Sequence, residues 1–448
     1  MISAARRMEN FRSTVLCGSE SFVSMKKLLN AFALLISLSI PSVSAEAEKP
    51  NVILIISDDH GFNDYGFMGH EIVKTPHLDR MAAESLVYTR GYVMPVCSPT
   101  LACLLTGKMP SANGITGNDL SDGRSKPGQR EGLAERLHAN SLMLPKAVTD
   151  AGYLTFQTGK LWNGTYKDFG FTHGMTNTAG RHGDAGLKIG REGMQPIYDF
   201  IETAKAEKKP FFIWHAPFLP HAPHNPSPER LAKYKGKGPT PDAEKYFAMV
   251  DWLDETTGEM DAYLEKNGLK EKTVILFLAD NGWDAAYAQK RNRAKLSPYE
   301  LGIRTPMFVR WPGRVEPARD DVTLAHVLDF PKTILYITGA KNPGDLPGLN
   351  LTDRNAMKSR NTVFVEAYTH DIADIADPAK SRIADVVIDG WWKLIIPCAT
   401  KPDRSFSGVP SIAVLYNLKS DPLEKTDVSE EYPDELIRLK ALLAATSK

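Results

Sequence analysis

Two pairs of oxygen-bearing side chains follow short apolar runs of the sequence. Asp58 and Asp59 form an acid pair, and Asp280 and Asn281 form an acid–amide pair. Because successive strand residues point to opposite faces, both members of the acid pair reach one site only if the chain turns there. A helix cap or a turn would explain either pair alone. Two pairs at two predicted strand ends instead indicate a site for a hard divalent cation, since carboxylate and amide oxygens suit Ca²⁺ or Mg²⁺.

Cys97 lies just ahead of a predicted helix. Pro99 suits the first turn of that helix, and Gly107 suits its end. A group at Cys97 would therefore face backbone N–H groups and the positive end of the helix dipole, which favour anions. A lone cysteine in such a place is ordinarily a small buried apolar residue, so Cys97 by itself predicts no chemistry.

The elements that position these residues are predicted from apolar runs separated by helix-sized segments. This alternation indicates an α/β fold. Ligand sites in open α/β sheets lie outside the carboxyl ends of the strands, and Lys160 and His221 also follow predicted strands. The predicted strands are Asn51–Ile56, Tyr153–Phe156, Phe211–Trp214 and Val274–Leu278, and the predicted helices are Thr75–Ser85, Met143–Ala151, Met194–Ala206 and Ala243–Glu265.

The 448 residues are too many for one small core. We expect a catalytic domain over 46–350 and a smaller C-terminal domain over 351–448, with Pro343–Leu351 in the linker region. The smaller domain is predicted to hold an antiparallel sheet and a closing helix. Its predicted strands are Thr362–Ala367, Asp385–Ile396 and Ser411–Leu418, and its predicted helix is Pro433–Ala445.

Residues 1–45 are predicted to be a leader that contains a secretory signal peptide. A basic start at Met25, which we take as the true first residue, precedes an apolar run over Leu28–Ile40 and small residues that end at Ala45. The apolar run is too short for a membrane anchor, which needs roughly 20 residues. We therefore expect an exported protein, periplasmic or extracellular, without a membrane anchor.

The charge balance gives no sign of a polyanionic partner. The 54 basic residues match 54 acidic ones, so the formal net charge is zero. Nothing in that balance draws the chain to nucleic acid. Any preference for an anionic substrate must therefore come from local groups.

The motifs that contain these residues resemble the sulfatase family in type, spacing and order, over nearly the whole mature chain. Cys97-Ser98-Pro99-Thr100 resembles the family signature whose cysteine is oxidised to formylglycine. The other matching segments are Asp58-Asp59 with Gly61, Asp64, Gly66 and Gly69; Thr75-Pro76-His77-Leu78-Asp79; Leu104-Leu105-Thr106-Gly107; Thr158-Gly159-Lys160; Pro220-His221-Ala222-Pro223; Asp280-Asn281-Gly282; Lys295 with Tyr299-Glu300; and Tyr416-Asn417-Leu418 with Glu424.

The resemblance implies an alkaline-phosphatase-like fold, with a central mixed sheet flanked by helices and a smaller C-terminal domain of antiparallel strands plus a helix. It also implies one divalent cation, most often Ca²⁺ with Mg²⁺ as the alternative. The implied ligands are Asp58, Asp59, Asp280, Asn281 and the modified side chain of Cys97.

The resemblance further implies sulfate-ester hydrolysis by that modified side chain. As an aldehyde hydrate, it would offer one hydroxyl as nucleophile on sulfur and a second to expel sulfate. Lys160, His221 and Lys295 would supply positive charge around sulfate and a proton for the leaving group. A formylglycine-generating enzyme is the implied partner during maturation.

Two positions depart from the family pattern. Leu101 stands where the family has an arginine that belongs to the modification motif and steadies the aldehyde hydrate. Trp162 stands where the family has a histidine that helps to eject sulfate. His60, His173 and His182 are the candidates to replace that histidine.

Three functional hypotheses follow. The leading one is a sulfuric ester hydrolase that acts on a sulfated carbohydrate or an aryl sulfate. The second is a phosphodiesterase or phosphonate hydrolase of the same superfamily. The charge of the substrate discriminates between the two, because a phosphate monoester dianion needs more compensating positive charge in the site than a sulfate monoanion. The third is a non-catalytic sulfoglycan-binding homologue that keeps the metal but lacks the aldehyde, which Leu101 and Trp162 favour.

Overall fold

A computed structural model describes residues 48–119, 135–140, 142–161, 164–177, 184–284, 293–374, 376–398 and 408–446. The predicted leader, Trp162 and His182 lie outside the described residues. Lys49–Lys448 group into one compact unit. The boundary that we expect near residue 350 stays a prediction. None of the helices within the described ranges combines the length and the apolar character needed to cross a bilayer.

A mixed sheet of eight strands forms the centre of the molecule. Its strands are β1 (Asn51–Ser57), β2 (Leu86–Tyr92), β3 (Leu154–Gly159), β4 (His173–Gly174), β5 (Phe211–Ala216), β6 (Thr273–Ala279), β7 (Arg304–Arg310) and β8 (Ala318–His326). Their order across the sheet is β4-β3-β5-β1-β6-β7-β2-β8. β1 lies parallel to both β5 and β6, whereas β7 is antiparallel to β6 and β2. This arrangement confirms the predicted α/β class with a mixed sheet.

Strand β1 shows why these apolar runs form a central sheet. Val52, Leu54 and Ile56 pack into the core on one face of the sheet. Ile53 and Ile55 pack into a second core on the other face. A strand that is covered on both faces reads as a continuous apolar run rather than an alternating one. The sequence around β1 therefore specifies a strand in the middle of the sheet.

The predicted helices correspond to helices of the structure, with ends that differ by one or two residues. Proline occupies the first turn of several of them, where its missing N–H group is no loss. The described α-helices are α1 (Pro76–Ala83), α2 (Cys97–Thr106), α3 (Pro110–Asn113), α4 (Leu144–Asp150), α5 (Gln195–Glu207), α6 (Pro228–Ala232), α7 (Pro241–Lys266), α8 (Glu300–Ile303), α9 (Asp329–Thr338), α10 (Arg354–Ser359) and α11 (Pro433–Thr446).

A four-stranded antiparallel sheet lies in the C-terminal part of the chain. Its strands are β9 (Thr362–Tyr368), β10 (Arg382–Asp389), β11 (Trp392–Pro397) and β12 (Val414–Asn417), in the order β12-β11-β10-β9. The prediction of one strand over Asp385–Ile396 is wrong, because that segment is a hairpin in which Asp389 pairs with Trp392. Gly390, with a φ of 56°, allows the tight turn between them.

Candidate active site and metal centre

The acid pair lies at a turn that closes β1. Asp59 has a φ of 56°, in the left-handed region that residues other than glycine rarely adopt. The turn is held from both sides, because the Asp58 N–H donates to the carbonyl of Leu219 at 2.9 Å and the Asp59 N–H donates to Oδ1 of Asp280 at 3.1 Å. The predicted turn is therefore present. Both carboxylates are buried, and their oxygens lie within 4.8 Å of each other and of His221.

Asp280 and Asn281 reach the same place from the neighbouring strand β6. The Asp280 N–H donates to the carbonyl of Ser57 at 2.9 Å, and Nδ2 of Asn281 donates to Oδ1 of Asp59 at 2.8 Å. Both side chains are fully buried. Oδ2 of Asp280 and Oδ1 of Asn281 accept no hydrogen bond within the described part of the chain.

Cys97 is the first residue of α2, as the positions of Pro99 and Gly107 predict. Gly107 ends the helix with a φ of 66°, and its N–H donates to the carbonyl of Cys103 at 2.8 Å. The thiol of Cys97 is buried and donates to Oδ1 of Asn118 at 3.2 Å. The cysteine therefore lies at the amino end of a buried ten-residue helix.

Lys160 enters the site from the end of β3. Its approach requires Gly159, which has a φ of 73° and whose position leaves a Cβ atom only 1.9 Å from the carbonyl oxygen of Ala216. The Lys160 side chain is 2% exposed. Its ammonium lies 2.8 Å from both carboxylate oxygens of Asp58 and 3.7 Å from Oδ2 of Asp280.

His221 and Lys295 both approach Asp59. Nζ of Lys295 lies 2.5 Å from Oδ1 of Asp59, and Nε2 of His221 lies 3.4 Å from its Oδ2. The imidazole of His221 stacks on Phe218 with 4.2 Å between ring centroids. Arg191 donates to the carbonyls of Phe218 and His221 at 2.7 and 2.8 Å, so it fixes the loop that carries the histidine.

The buried acids differ in the direction of their pKa shifts because their charged neighbours differ. Burial opposes ionisation of Asp58, but the charge of Lys160, followed by that of His221, outweighs burial and lowers the pKa of this carboxyl. The same balance, with Lys295 as the main cation, lowers the pKa of Asp59. Burial and the charge of Asp58 raise the pKa of Asp280 well above its ordinary value.

The pKa values of the basic residues depend on the same buried charges. Burial lowers the pKa of His221 despite the two neighbouring aspartates. Burial would also lower the pKa of Lys295, but Asp59 and then Cys97 overcome it and raise that pKa. The site therefore has ammonium groups in contact with carboxylates and a histidine that favours its neutral form.

The donor set fits a hard divalent cation. The three atoms within 4.8 Å of one another belong to Asp58, Asp59 and His221. We favour Asp280 and Asn281 over His221 as further ligands, because Ca²⁺ and Mg²⁺ prefer oxygen and both residues offer a buried oxygen without a hydrogen bond. A buried oxygen of this kind is costly unless an ion or a donor satisfies it.

Of the two positions that depart from the family pattern, the structure describes Leu101 but not Trp162. Leu101 is 1% exposed and belongs to the apolar core that covers one face of the sheet. Trp162 and the candidate His182 lie outside the described residues. His60 stacks on Tyr65 and has its pKa lowered by burial to about 3. His173 lies on β4, where its Nδ1 faces the hydroxyl of Thr172 at 2.9 Å.

Two residues that the sequence analysis did not single out, Asn118 and His370, lie next to Cys97 or next to each other. Asn118 accepts the hydrogen bond of the Cys97 thiol, and its amide nitrogen lies 3.1 Å from Nε2 of His370. Neither residue belongs to a motif that we recognised, and 252 positions separate them. No pattern in the sequence alone could have brought them together.

Comparison with known proteins identifies similar chains and folds. A family model described as Sulfatase matches residues 50–340, and one described as N-sulphoglucosamine sulphohydrolase, C-terminal, matches residues 293–444. The dog N-acetylgalactosamine-6-sulfatase is 29% identical over 370 residues, which cover 71% of this chain and 68% of that protein.

Two solved structures share the fold. The PsFucS1 sulfatase from Pseudoalteromonas sp. matches with a TM-score of 0.68 at 22% identity and covers 94% of this chain and 92% of its own. The structure of BT4656 in complex with D-glucosamine-2-N,6-O-disulfate matches with a TM-score of 0.67 at 18% identity and covers 89% and 97%. These similarities confirm the predicted alkaline-phosphatase-like sulfatase fold.

Proposed function

This chain belongs to the sulfatase family, and we propose that it releases inorganic sulfate from a sulfated carbohydrate by means of a formylglycine derived from Cys97. Relatives named as sulfatases support sulfuric ester hydrolysis. The carbohydrate class rests on the N-acetylgalactosamine-6-sulfatases among the relatives and on the disulfated glucosamine bound to a structure of the same fold.

One observation carries the proposal: three buried carboxylates and two lysines converge, and Cys97, the first residue of α2, interacts electrostatically with Asp280 and Lys295. Asp58, Asp59 and Asp280 give three negative charges when ionised, and Lys160 and Lys295 give two positive ones. With one divalent cation bound and all three carboxylates ionised, this set carries a net charge of plus one. A site with a single positive charge suits the single negative charge of a sulfate monoester better than a phosphate monoester dianion.

The cation would be held by Asp58, Asp59, Asp280 and Asn281 together with the modified Cys97. When bound, it would supply positive charge against the sulfate oxygens and help to activate the oxygen nucleophile. We propose Ca²⁺, with Mg²⁺ as the alternative, because the protein donors outside Cys97 are all oxygens.

The basic residues have separate tasks. Lys160 and Lys295 are each held on a carboxylate, which keeps two ammonium groups within a buried site where charge stabilisation is strong. Nδ1 of His221 lies 2.6 Å from the carbonyl of Ala222, so the neutral ring carries its proton on Nδ1 and presents a lone pair at Nε2. Nε2 therefore donates a proton to a leaving oxygen only when the ring is protonated.

We further propose that the protein is exported through the leader over 1–45 and that a formylglycine-generating enzyme modifies Cys97 before it acts. The basic, apolar and small-residue regions of the leader support export. The modification is needed because an unmodified thiol has no second hydroxyl with which to expel sulfate.

The test is sulfate release by protein purified from its native host, compared with the Cys97→Ala variant. Substrates are a panel of monosulfated sugars and an aryl sulfate, with a phosphonate monoester and a phosphodiester as competing classes. We expect multiple turnovers on a sulfate ester and none by Cys97→Ala. Faster turnover of the phosphonate monoester or the phosphodiester would overturn the assignment.

A further inference from the structure

The amide of Asn118 is fixed between the amino end of α2 and the C-terminal part of the chain. Its Oδ1 accepts hydrogen bonds from the Cys97 thiol and from the Ser98 N–H, both at 3.2 Å. A backbone N–H can only donate, so the atom that faces Ser98 must be the amide oxygen. The Nδ2 group therefore points to the other side, where Nε2 of His370 lies at 3.1 Å.

The orientation of the amide determines which tautomer the neutral His370 ring adopts. Nδ2 of Asn118 is a donor, so Nε2 of His370 is the acceptor and the proton of the neutral ring is on Nδ1. Nδ1 lies 2.6 Å from Oδ1 of Asp371, which accepts that proton's hydrogen bond. The four side chains form one chain of hydrogen bonds, here called the relay, in which donation runs from Cys97 through Asn118 and His370 to Asp371.

Backbone contacts hold the two segments in register. The Asn118 N–H donates to the carbonyl of His370 at 2.7 Å, and the Ile372 N–H donates to the carbonyl of Asp119 at 2.6 Å. Gly117 is needed for this approach, because a Cβ atom there would lie 2.8 Å from the carbonyl oxygen of His370. The contact between Asn118 and His370 is therefore built into the backbone.

We propose that Asn118 and His370 are positioning residues that orient the Cys97 side chain for sulfate transfer. This inference rests on the proposed function of Cys97. Leu101, one turn along α2, is buried in the apolar core and offers no polar atom. The Asn118 amide, which His370 and Asp371 hold in place, instead gives the Cys97 side chain a polar contact. The His370 side chain is 46% exposed, so substitutions at this position leave the core intact.

The matched pair His370→Gln and His370→Leu tests the relay. Glutamine keeps an acceptor for Nδ2 of Asn118 close to the position of Nε2, whereas leucine does not. Asn118→Ala removes the amide itself. His138→Leu is the control, because His138 is an exposed histidine in the same cavity as Lys49, beside the amino ends of the strands.

The first measurement is steady-state hydrolysis of a sulfated sugar, normalised to the aldehyde content of each preparation by peptide mass spectrometry. His370→Leu and Asn118→Ala should lower kcat by about 10–100-fold with KM within about twofold of wild type, as for other groups that orient a catalytic ligand. His370→Gln should recover kcat to within about threefold. A purely structural role would not separate glutamine from leucine.

The second measurement does not depend on activity. In protein made without the aldehyde, the rate at which iodoacetamide alkylates Cys97 is followed by peptide mass spectrometry, with the partly exposed Cys398 as the internal reference. Asn118→Ala removes an oxygen that disfavours the reactive thiolate, and His370→Leu leaves the amide that carries this oxygen without its partner. Both variants should therefore react about two- to tenfold faster than wild type. His370→Gln should react at the wild-type rate.

The two measurements separate the relay from the proposed function. If the wild type releases no sulfate although its aldehyde is complete, the proposed function fails while the alkylation rates still decide the relay. Equal alkylation rates and equal kcat values for His370→Gln and His370→Leu would overturn the relay. The expected order, with glutamine like wild type and leucine like Asn118→Ala, would support it.

Discussion

Lys160 places its ammonium nitrogen 2.8 Å from both carboxylate oxygens of Asp58, and both side chains are almost completely buried. Such a pair is costly to desolvate and contributes little net stability, so its retention points to a task other than folding. Asp280, 3.7 Å away, ties the lysine to the second strand end. The lysine is therefore fixed where an anion would meet the acids of two neighbouring strands.

Lys160→Met should lower kcat for a sulfate ester by about 10²–10³, the usual effect of removing one preorganised charge. In excess Ca²⁺ the unfolding midpoint should change little, because the cation still compensates Asp58. Lys146→Met is the control, since Lys146 is an exposed lysine paired with Asp150. A Lys160→Met enzyme with wild-type kcat would remove Lys160 from the sulfate site.

Metal analysis of the purified protein should give about one Ca²⁺ or Mg²⁺ per chain, as oxygen donors favour. Chelation should lower the unfolding midpoint, because a cation present at 100 times its Kd stabilises the folded state by about 2.7 kcal/mol. Asp280→Ala should abolish that difference, whereas Asp321→Ala, at an exposed acid on β8, should keep it. Zn²⁺ as the bound ion, or a metal-free protein, would contradict the oxygen-ligand assignment.

Asp64 should make stability depend on pH. Burial, with a smaller contribution from the charge of Asp284, outweighs the hydrogen bond from Tyr246 and raises the pKa of Asp64 to about 7. Between the unfolded value, near 4, and 7 the folded state holds a proton that the unfolded chain has lost. The wild type should therefore lose stability as pH rises through this window, by on the order of 2–4 kcal/mol relative to Asp64→Asn.

Urea unfolding of both proteins at pH 5 and pH 8 measures that difference. The asparagine variant keeps an oxygen that accepts from Tyr246, so it serves as the non-titrating reference. Parallel stability curves for the two proteins would show that Asp64 titrates at an ordinary pKa.

Strands and helices could be predicted from the sequence where the local residue pattern matches the burial that the fold gives those residues. The continuous apolar run of β1 and the turn at Asp59 could be read directly, since the pair of acids requires the turn. Strand β2 was missed because it contains Arg90, which would ordinarily be exposed. In the fold, that buried guanidinium donates to the carbonyls of Val322 and Gly390 and stacks 3.9 Å from the ring of Trp391.

The relay from Asn118 to His370 could not be predicted for a different reason. Its members come from two segments that meet only through backbone contacts such as that between Asn118 and His370. Nothing local marks such a pair, because each residue alone is an ordinary polar residue in a loop. By contrast, Asp280 and Asn281 directly follow an apolar run, so their place at the sheet edge was predictable.

We expect Lys393 to be a structural residue that stabilises the segment carrying Lys295. Its ammonium is fully buried between Glu300, at 3.1 Å, and Glu424, at 2.7 Å. Glu424 also accepts from the Glu300 N–H at 2.6 Å, and its carbonyl accepts from Arg293, so this cluster holds two points, Arg293 and Glu300, on either side of Lys295.

Lys393→Met should lower the free energy of unfolding by about 3–5 kcal/mol, because it leaves buried carboxylates without their cation. Adding Glu424→Gln should recover part of that loss, which a double-mutant cycle in urea detects. Additive effects of the two substitutions would show that they do not interact.

Leu101→Arg tests whether the departure from the family motif limits maturation. The resemblance predicts that arginine raises the fraction of Cys97 converted to aldehyde and the specific activity in a heterologous host. The same substitution places a charge in the apolar core, so the unfolding midpoint should fall. Leu101→Met preserves volume and apolar character, so it should leave the aldehyde fraction unchanged. It should change the free energy of unfolding by no more than about 1.5 kcal/mol.

Peptide mass spectrometry of Cys97 in protein from the native host decides between the enzyme and the binding-protein hypotheses. An active sulfatase must carry the aldehyde there, because a thiol that attacks sulfur has no second hydroxyl and stalls after one turnover. We expect a modified Cys97, and sulfate release in proportion to the modified fraction. Multiple turnovers by wholly unmodified protein would refute this mechanism, whereas an unmodified Cys97 with no hydrolysis but tight binding of a sulfated glycan would establish the non-catalytic alternative.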